Sequence, residues 1–126
     1  MELGIKGRAE VEVTWGNTAA ALGSGALEVF ATPAMVALME KAALESVQPY
    51  LDAGQGTVGT KLDIAHLAAT PVGLTVRAES ELMEIDRRRL VFRVAAYAGE
   101  EKIGEGTHER FIIDNDRFLA KARAKV

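Results

Sequence analysis

The chain contains no cysteine and only two histidines among its 126 residues. Without cysteine it has no disulfide framework, no thiolate nucleophile and no thiolate metal site. His66 and His108 stand 42 positions apart with no ligand spacing around them, so we predict no metal site. The lack of cysteine also fits a reducing compartment, and we expect a cytoplasmic protein.

Long apolar runs and an excess of positive charge are lacking as well. The main apolar run ends at Met39, far short of the roughly 20 residues that a membrane-spanning helix needs. The opening residues MELGIKGRAE carry no signal-peptide segment. The formal net charge is −3, whereas nucleic-acid binding normally requires a basic face. We therefore expect no membrane insertion, no export and no nucleic-acid partner.

The chain is rich in apolar residues, which make up 48% of it beside 26% charged residues. This composition is typical of a globular protein, and we predict a single domain over residues 1–126. Residues 8–15 alternate, with Val11, Val13 and Trp15 on one side, which predicts a half-buried strand.

The period then changes to that of a helix. Thr32 and Pro33 are expected to be the N-cap and the first helical residue, and Pro49 stops the helix after Gln48, giving a helix of about 33–48. Its polar positions form one narrow stripe, made of Lys41, Glu45 and Gln48. Most of the helix surface must therefore be covered by protein.

Four strands are predicted after the helix, over residues 57–69, 74–85, 89–98 and 102–113. Their short connections favour an antiparallel meander. With the earlier strand, this gives an α+β fold in which a curved antiparallel sheet of five strands wraps around one long central helix. The basic tail, about 114–126, can form a short helix. The first of the four strands is expected to turn Val58, Leu62, Ile64 and His66 inward.

Glu40 is the most unusual residue of the helix, because its neighbours one turn away are apolar. An ionised carboxylate in such a place has to be paired, protonated or used in chemistry. The alternative is a glutamate that reaches water through a gap. His66 on the inward strand face is the candidate partner, although a hydrogen-bonded core histidine would look the same in the sequence.

Three segments carry a resemblance to a known family, namely VFATPAMVALMEKAA, GTVGTKLDIAHLAATPVGLTVRAESEL and RRLVFRVAAYAGEEKIGEGTHERFII. Together they resemble the hotdog-fold thioesterases, most closely the branch typified by fluoroacetyl-coenzyme A thioesterase. The resemblance implies a catalytic triad of Thr32, Glu40 and His66, spaced by 8 and 26 residues. It also implies that Gly59 lets the thioester carbonyl approach the backbone. The segment AAALGSGALEV lacks the aromatic lid residues of that branch, so selectivity for a fluorinated acyl group is not implied.

The resemblance further implies a homodimer or a higher homo-oligomer with sites in the subunit interface. In one straight helix, Thr32 and Glu40 are separated by about 12 Å along the axis. We therefore predict a shared site, in which Thr32 of one chain faces Glu40 of its partner. An uncovered strand edge and remaining apolar surface also favour association.

Thioester hydrolysis needs a nucleophile, a stabiliser for the carbonyl oxygen and a proton for the leaving thiolate. Glu40 could activate water or attack the thioester directly, and direct attack is favoured. His66 would orient Glu40 and relay protons. No cofactor is expected, because coenzyme A enters as part of the substrate. Its phosphates need local cations, and the candidates are Lys61, Arg87, Arg88, Arg89, Arg117, Lys121, Arg123 and Lys125.

We therefore predict an acyl-CoA thioesterase, acting on a small or short-chain acyl-CoA as its partner molecule. His108, in the segment GTHER, is expected to be structural. One alternative is a hotdog-fold enoyl-CoA hydratase or dehydratase, and another is an acyl-CoA-binding sensor without turnover. A thermal shift with acyl-CoA but no hydrolysis would favour the sensor.

Overall fold

Five β-strands and one long helix form most of the structure, a computed structural model that describes residues Met1–Val126. The strands are β1 (Lys6–Glu12), β2 (Gln55–His66), β3 (Thr75–Asp86), β4 (Arg89–Ala98) and β5 (Glu101–Asp114). The helices are α1 (Ala19–Leu22), α2 (Thr32–Val47) and α3 (Asn115–Arg123), with 3-10 turns at Trp15–Asn17 and Gln48–Tyr50. None of the helices combines the length and the apolar character that crossing a membrane requires.

The strands form one antiparallel sheet in the order β1-β3-β4-β5-β2. The predicted α+β architecture of five antiparallel strands and a central helix is confirmed. The prediction of one continuous meander is wrong for β2, which lies beside β5 and not beside β3. Two-residue turns join β3 to β4 and β4 to β5, whereas the connection 67–74 is longer and contains Pro71. That connection is too long for a tight hairpin, so β2 pairs elsewhere.

Helix α2 packs on one face of the sheet, where it supplies six of the buried residues. These are Met35, Leu38, Met39, Ala42, Ala43 and Val47. The sheet contributes the other side of this core from β3, β4 and β5, including Leu82, Phe92 and Ile103. The polar stripe of Lys41, Glu45 and Gln48 is exposed, as predicted. The prediction that most of the helix surface is covered is only partly met in the single chain, because Ala37 is exposed and Val36 and Leu44 are half-buried.

The first strand differs from its prediction at both ends. It runs over Lys6–Glu12, where Ala9 is buried and Val11 half-buried. Val13 is fully buried just after the strand, but Trp15 lies in a 3-10 turn and is 56% exposed. The turn ends the alternation that placed Trp15 with the two valines.

A β-bulge between Gly59 and Lys61 changes which face of β2 each residue occupies. Residues paired across antiparallel strands lie on the same face of the sheet. Val58 pairs with Phe111, which is 43% exposed, whereas Gly59 pairs with the buried Arg110. The predicted inward position of Val58 is therefore wrong. An extra residue shifts the alternation by one and brings Gly59 to the helix side.

Leu62 lies on the inward face as predicted, although it is 41% exposed in the single chain. Beyond the bulge it pairs with the buried His108, and Ile64 and His66 follow on that face. The strand lies at the edge of the sheet, with only β5 beside it. An edge strand has no second neighbour to cover its side chains.

Candidate active site

The hydroxyl of Thr32 and the imidazole of His66 form a hydrogen-bonded pair at the start of α2. Thr32 Oγ1 lies 2.7 Å from His66 Nδ1. Thr32 is the first residue of the helix and Ala31 is its N-cap, so the predicted N-cap position of Thr32 is wrong by one residue. The extended backbone of Ala31 already places its carbonyl to accept from the amide of Met35. The Thr32 hydroxyl is therefore directed toward the ring and not toward the helix backbone.

His66 is held in its neutral form. Burial lowers the pKa of its imidazole below the ordinary value of histidine. Its Nε2 atom is buried and has no hydrogen-bond partner within the chain. A neutral imidazole next to a hydroxyl is the arrangement in which a base can activate a nucleophile.

Glu40 lies elsewhere on α2, with its carboxylate next to Gly59 and Arg110. Glu40 Oε2 is 3.6 Å from Arg110 Nη1, and its side chain is 37% exposed. Glu40 is therefore half-exposed, and its carboxylate lies beside a guanidinium. The expectation of a carboxylate in a purely apolar setting is wrong for the single chain. Within one chain Glu40 forms neither a hydrogen bond nor an ion pair with His66. Glu40 and Thr32 are eight positions apart in one continuous helix, so the two side chains occupy different turns.

Arg110 is nearly buried, with 6% of its side chain exposed, and it is surrounded by acceptors. Nε donates to Thr57 Oγ1 at 2.8 Å, and Nη2 donates to the Thr57 carbonyl at 2.9 Å. Nη1 lies 3.0 Å from His108 Nε2. Burial lowers the pKa of Arg110 and the charge of Glu40 opposes the shift, but arginine stays protonated in proteins. The guanidinium is therefore a fixed positive charge beside Glu40.

His108 completes this group from a fully buried position on β5. Its Nδ1 lies 2.9 Å from the carbonyl oxygen of Lys61. Burial lowers the pKa of His108, and the positive charge of Arg110 lowers it further. The backbone hydrogen bond to Lys61 and the charges of Glu40 and Glu109 oppose the shift. The ring is therefore neutral near pH 7.

Gly59 lies over the Glu40 carboxylate. A Cβ atom at this position would be 2.6 Å from Glu40 Oε2 and 3.1 Å from His108 Cε1.

The predicted site residues thus fall into two groups, Thr32 with His66 and Glu40 with Gly59. Sequence reasoning missed Arg110 beside Glu40, and it treated His108 as structural only. The sequence pattern that indicates a role for Arg110 and His108 is their alternation with Gly104 and Gly106, which places all four residues on one face of β5.

A cavity of about 360 Å³ opens beside Thr32 and His66. Its other lining residues are Ala19, Ser24, Val29, Phe30, Leu67, Ala68 and Ala69. The segment before α2 reaches this cavity through isolated bridges, Thr18 with Phe30 and Val29 with Pro71. Phe30 is the only aromatic residue in the lining.

Several of the candidate cations are engaged in ion pairs. Arg89 bridges Glu84 and Glu109, with nitrogen–oxygen distances of 2.6 and 2.7 Å. Lys61 approaches Glu109, and Arg88 and Arg117 both approach Asp114, at 3.7 to 4.0 Å. The candidates with no ion pair are Arg87, Lys121, Arg123 and Lys125. The chain has no cluster of three or more metal-ligating side chains.

A five-stranded antiparallel sheet packed on one long central helix is the architecture of the hotdog-fold thioesterases. A hypothetical protein of Thermus thermophilus, a thioesterase superfamily member, has this fold with a TM-score of 0.89 and 29% identity. That match covers 98% of this chain and 91% of the Thermus chain.

Within that class, the family model for fluoroacetyl-CoA-specific thioesterase matches residues 13–116, and the chain belongs to this family. The fluoroacetyl-CoA thioesterase of Streptantibioticus cattleyicolor is 50% identical over 98 residues, 78% of this chain and 70% of that enzyme. A solved structure of a fluoroacetyl-CoA thioesterase has a TM-score of 0.93 and 41% identity, over 100% of this chain and 98% of the other. The protein is a thioester hydrolase.

Proposed function

We propose that the protein hydrolyses the thioester of a small acyl-CoA, with Thr32 and His66 from one chain and Glu40 from its partner. The observation that carries this proposal is the hydrogen bond of 2.7 Å between Thr32 Oγ1 and His66 Nδ1 beside a cavity. The relatives act on a short acyl group by name, and one related structure is a complex with acetyl-CoA. The cavity beside this pair offers a place for the acyl group.

The contacts support Thr32 as the nucleophile better than Glu40. His66, kept neutral by burial, can accept the Thr32 proton while the hydroxyl oxygen attacks the thioester carbon. The imidazolium then returns a proton to the departing thiolate. Glu40 is ion-paired with Arg110, which weakens a carboxylate as a nucleophile. Its role in this proposal is to orient the water that cleaves the acyl-threonine ester.

The edge strand β2 supports a shared site. Gly59 and His66 both lie on β2. Residues 59–63 of this strand are exposed along its free edge. If two copies pair antiparallel along this edge, with the two-fold axis near Leu62 and Asp63, Gly59 of one chain meets the partner's His66. Glu40 lies beside Gly59 and would therefore face the partner's Thr32 and His66.

A substrate panel with site variants tests the proposal. Fluoroacetyl-, acetyl-, propionyl-, butyryl- and octanoyl-CoA should show hydrolysis that declines with acyl length. Thr32→Val and His66→Gln should each lower kcat/KM by a factor of about 10² or more, because each removes part of the nucleophile pair. Glu40→Gln should slow deacylation, so that mass spectrometry after an acid quench detects an acyl group on Thr32. A wild-type rate in Glu40→Gln and Thr32→Val would contradict the proposed site.

A further inference from the structure

We infer that His108 is a positioning residue of the thioesterase, acting as the neutral hydrogen-bond acceptor that aims Arg110 at Glu40. The inference rests on the proposed role of Glu40. It adds a residue that acts through Arg110, and it predicts how that residue makes activity depend on pH.

Two contacts fix the protonation of the His108 ring. The carbonyl of Lys61, 2.9 Å from Nδ1, can only accept, so Nδ1 carries the proton. Arginine nitrogens can only donate, so His108 Nε2, 3.0 Å from Arg110 Nη1, is the bare acceptor. Both ring nitrogens are thus satisfied only in the neutral Nδ1–H form.

The same nitrogen of Arg110 links His108 to the carboxylate. Nη1 reaches His108 Nε2 at 3.0 Å and Glu40 Oε2 at 3.6 Å. The other two nitrogens are held by Thr57. His108 is therefore the group that sets the direction of Nη1, while Thr57 anchors the rest of the guanidinium.

Protonation of His108 would break this arrangement. It would place an N–H at Nε2 against the N–H groups of Arg110, and two positive charges would meet in a buried place. The surroundings offer limited compensation. The charged groups near the ring are Arg110 and Glu109 on its own strand and Glu40 on α2. The two neighbouring strands present uncharged groups. These are the Lys61 carbonyl on β2 and the ring of Phe92 on β4, stacked with a centroid distance of 6.2 Å. Arg110 would have to turn away from His108, and Glu40 would lose its positioned partner.

The test compares the pH profiles of kcat/KM for wild type, His108→Gln and His108→Leu between pH 5 and 9. His108→Leu removes the acceptor and should lower kcat/KM about tenfold or more at pH 7.5 to 9. The difference from wild type should shrink toward pH 5, because protonation removes the acceptor in wild type as well. His108→Gln can present an amide oxygen to Arg110 but cannot titrate in this range. It should restore most of the activity that the leucine variant loses, and its acid limb should be shallower than that of wild type. In wild type both His66 and His108 contribute to that limb.

Thr57→Val is the matched control, because it removes another side-chain acceptor of Arg110 but no titrating group. It should lower kcat/KM while keeping the steep acid limb of wild type. The inference is overturned if His108→Leu has the wild-type rate and profile, or if His108→Gln keeps the steep acid limb.

A readout on unsubstituted enzyme separates this inference from the proposed function and covers variants that do not fold. Nitrogen-15 NMR should show His108 as the neutral Nδ1–H tautomer at pH 7.5. The Arg110 side-chain signals should shift as His108 gains its second proton. An Nε2–H tautomer or a doubly protonated ring at pH 7.5 overturns the inference, whatever Glu40 does. Conversely, a neutral Nδ1–H ring whose protonation shifts the Arg110 signals, together with a fully active Glu40→Gln, would contradict the proposed role of Glu40 while leaving the contact between His108 and Arg110 in place.

Discussion

The buried guanidinium of Arg110 depends on Glu40 for an opposite charge. A buried cation is strongly unfavourable unless hydrogen bonds and an opposite charge compensate it. Thr57 and His108 supply neutral acceptors, and Glu40 is the only carboxylate with which Arg110 forms an ion pair. Arg110 and Glu40 therefore depend on each other, and a change at either residue should affect both.

Gly59→Ala is predicted to reduce activity much more than stability. The new methyl group would contact Glu40 Oε2 at 2.6 Å, and Glu40 can move because its carboxylate ends a flexible, partly exposed side chain. The free energy of unfolding should change by about 1 kcal/mol or less. The carboxylate would leave its place beside Arg110, so kcat/KM should fall at least tenfold. Urea denaturation and steady-state kinetics measure the two effects.

Gly56→Ala provides the matched control for this substitution. It lies on the same strand, and its new Cβ would contact Asn115 Oδ1, also at 2.6 Å and also at the end of a side chain. Asn115 is outside the proposed site, so this variant should keep its activity. Equal losses of activity in the two variants would show that added bulk on β2, and not displacement of Glu40, is responsible.

The stability of the protein is predicted to fall as the pH drops below about 6.5, the ordinary pKa of histidine. The pKa of His108 is lower in the folded state than in the unfolded chain because the ring is buried. Below pH 6.5 the unfolded state therefore binds more protons, and the free energy of unfolding decreases with falling pH. His66, whose pKa is also lowered, acts in the same direction. Urea titrations from pH 5.5 to 8 should show a smaller pH dependence for His108→Gln than for wild type. An equal dependence would contradict this account of His108.

At the scale of elements, α2 and β2 together position the two halves of the site. Thr32 and Glu40 are fixed at a separation of two helical turns on α2, while His66 and Gly59 stand opposite them on β2. Gly59 and His66 are seven positions apart, and an uninterrupted strand would place them on opposite faces. The bulge between Gly59 and Lys61 brings both to the helix side. The irregularity in the strand is therefore part of the proposed site.

Gly7→Ala is predicted to weaken the contact between α2 and β1. A Cβ at Gly7 would overlap the carbonyl oxygen of Ala42, which is helix backbone, and would also approach Ser80 Oγ and Ser46 Cβ. Backbone cannot move aside as a side chain does, so the variant should lose about 1–3 kcal/mol of stability. Gly16→Ala serves as the control, because nothing lies within 4 Å of its Cβ position. Thermal and urea unfolding measure both variants. Equal stability of the two would mean that α2 adjusts freely over β1.

At the scale of the whole molecule, the distance between the two half-sites is the main argument for a dimer. One chain holds Thr32 with His66 and, two turns along the helix, Glu40 with Arg110. The edge strand β2 reaches both groups, through His66 beside Thr32 and Gly59 beside Glu40. A two-fold axis near the middle of that edge would bring opposite halves together. Each dimer would then contain two equivalent sites.

Mixing two inactive variants is predicted to restore activity. A Thr32→Val chain keeps Glu40, and a Glu40→Gln chain keeps Thr32 and His66, so their heterodimer would contain one intact shared site. Random exchange of equal amounts should restore about a quarter of the wild-type activity, since half of the dimers are mixed and each has one working site of two. Each variant mixed with itself is the control. If the mixture stays inactive although mass spectrometry detects heterodimers, the site is not shared in this way.

The sequence by itself determined the elements and their class. Prolines and the apolar period placed α2 within one residue of each end, and alternation with short turns located β3, β4 and β5. These signals are local, because each depends on residues within a few positions of one another. The membership of Thr32, Glu40 and His66 in a site came from the resemblance to a family, and it remains a prediction.

The tertiary structure alone decided the neighbours of those residues. The place of β2 beside β5, the bulge at Gly59 and the burial of Arg110 depend on pairing between residues about 50 positions apart. No local pattern encodes such pairing, because a strand has the same alternation whichever strand it joins. For the same reason the sequence could not show that Glu40 meets a guanidinium, or that His108 supports it from the next position along the same face of β5.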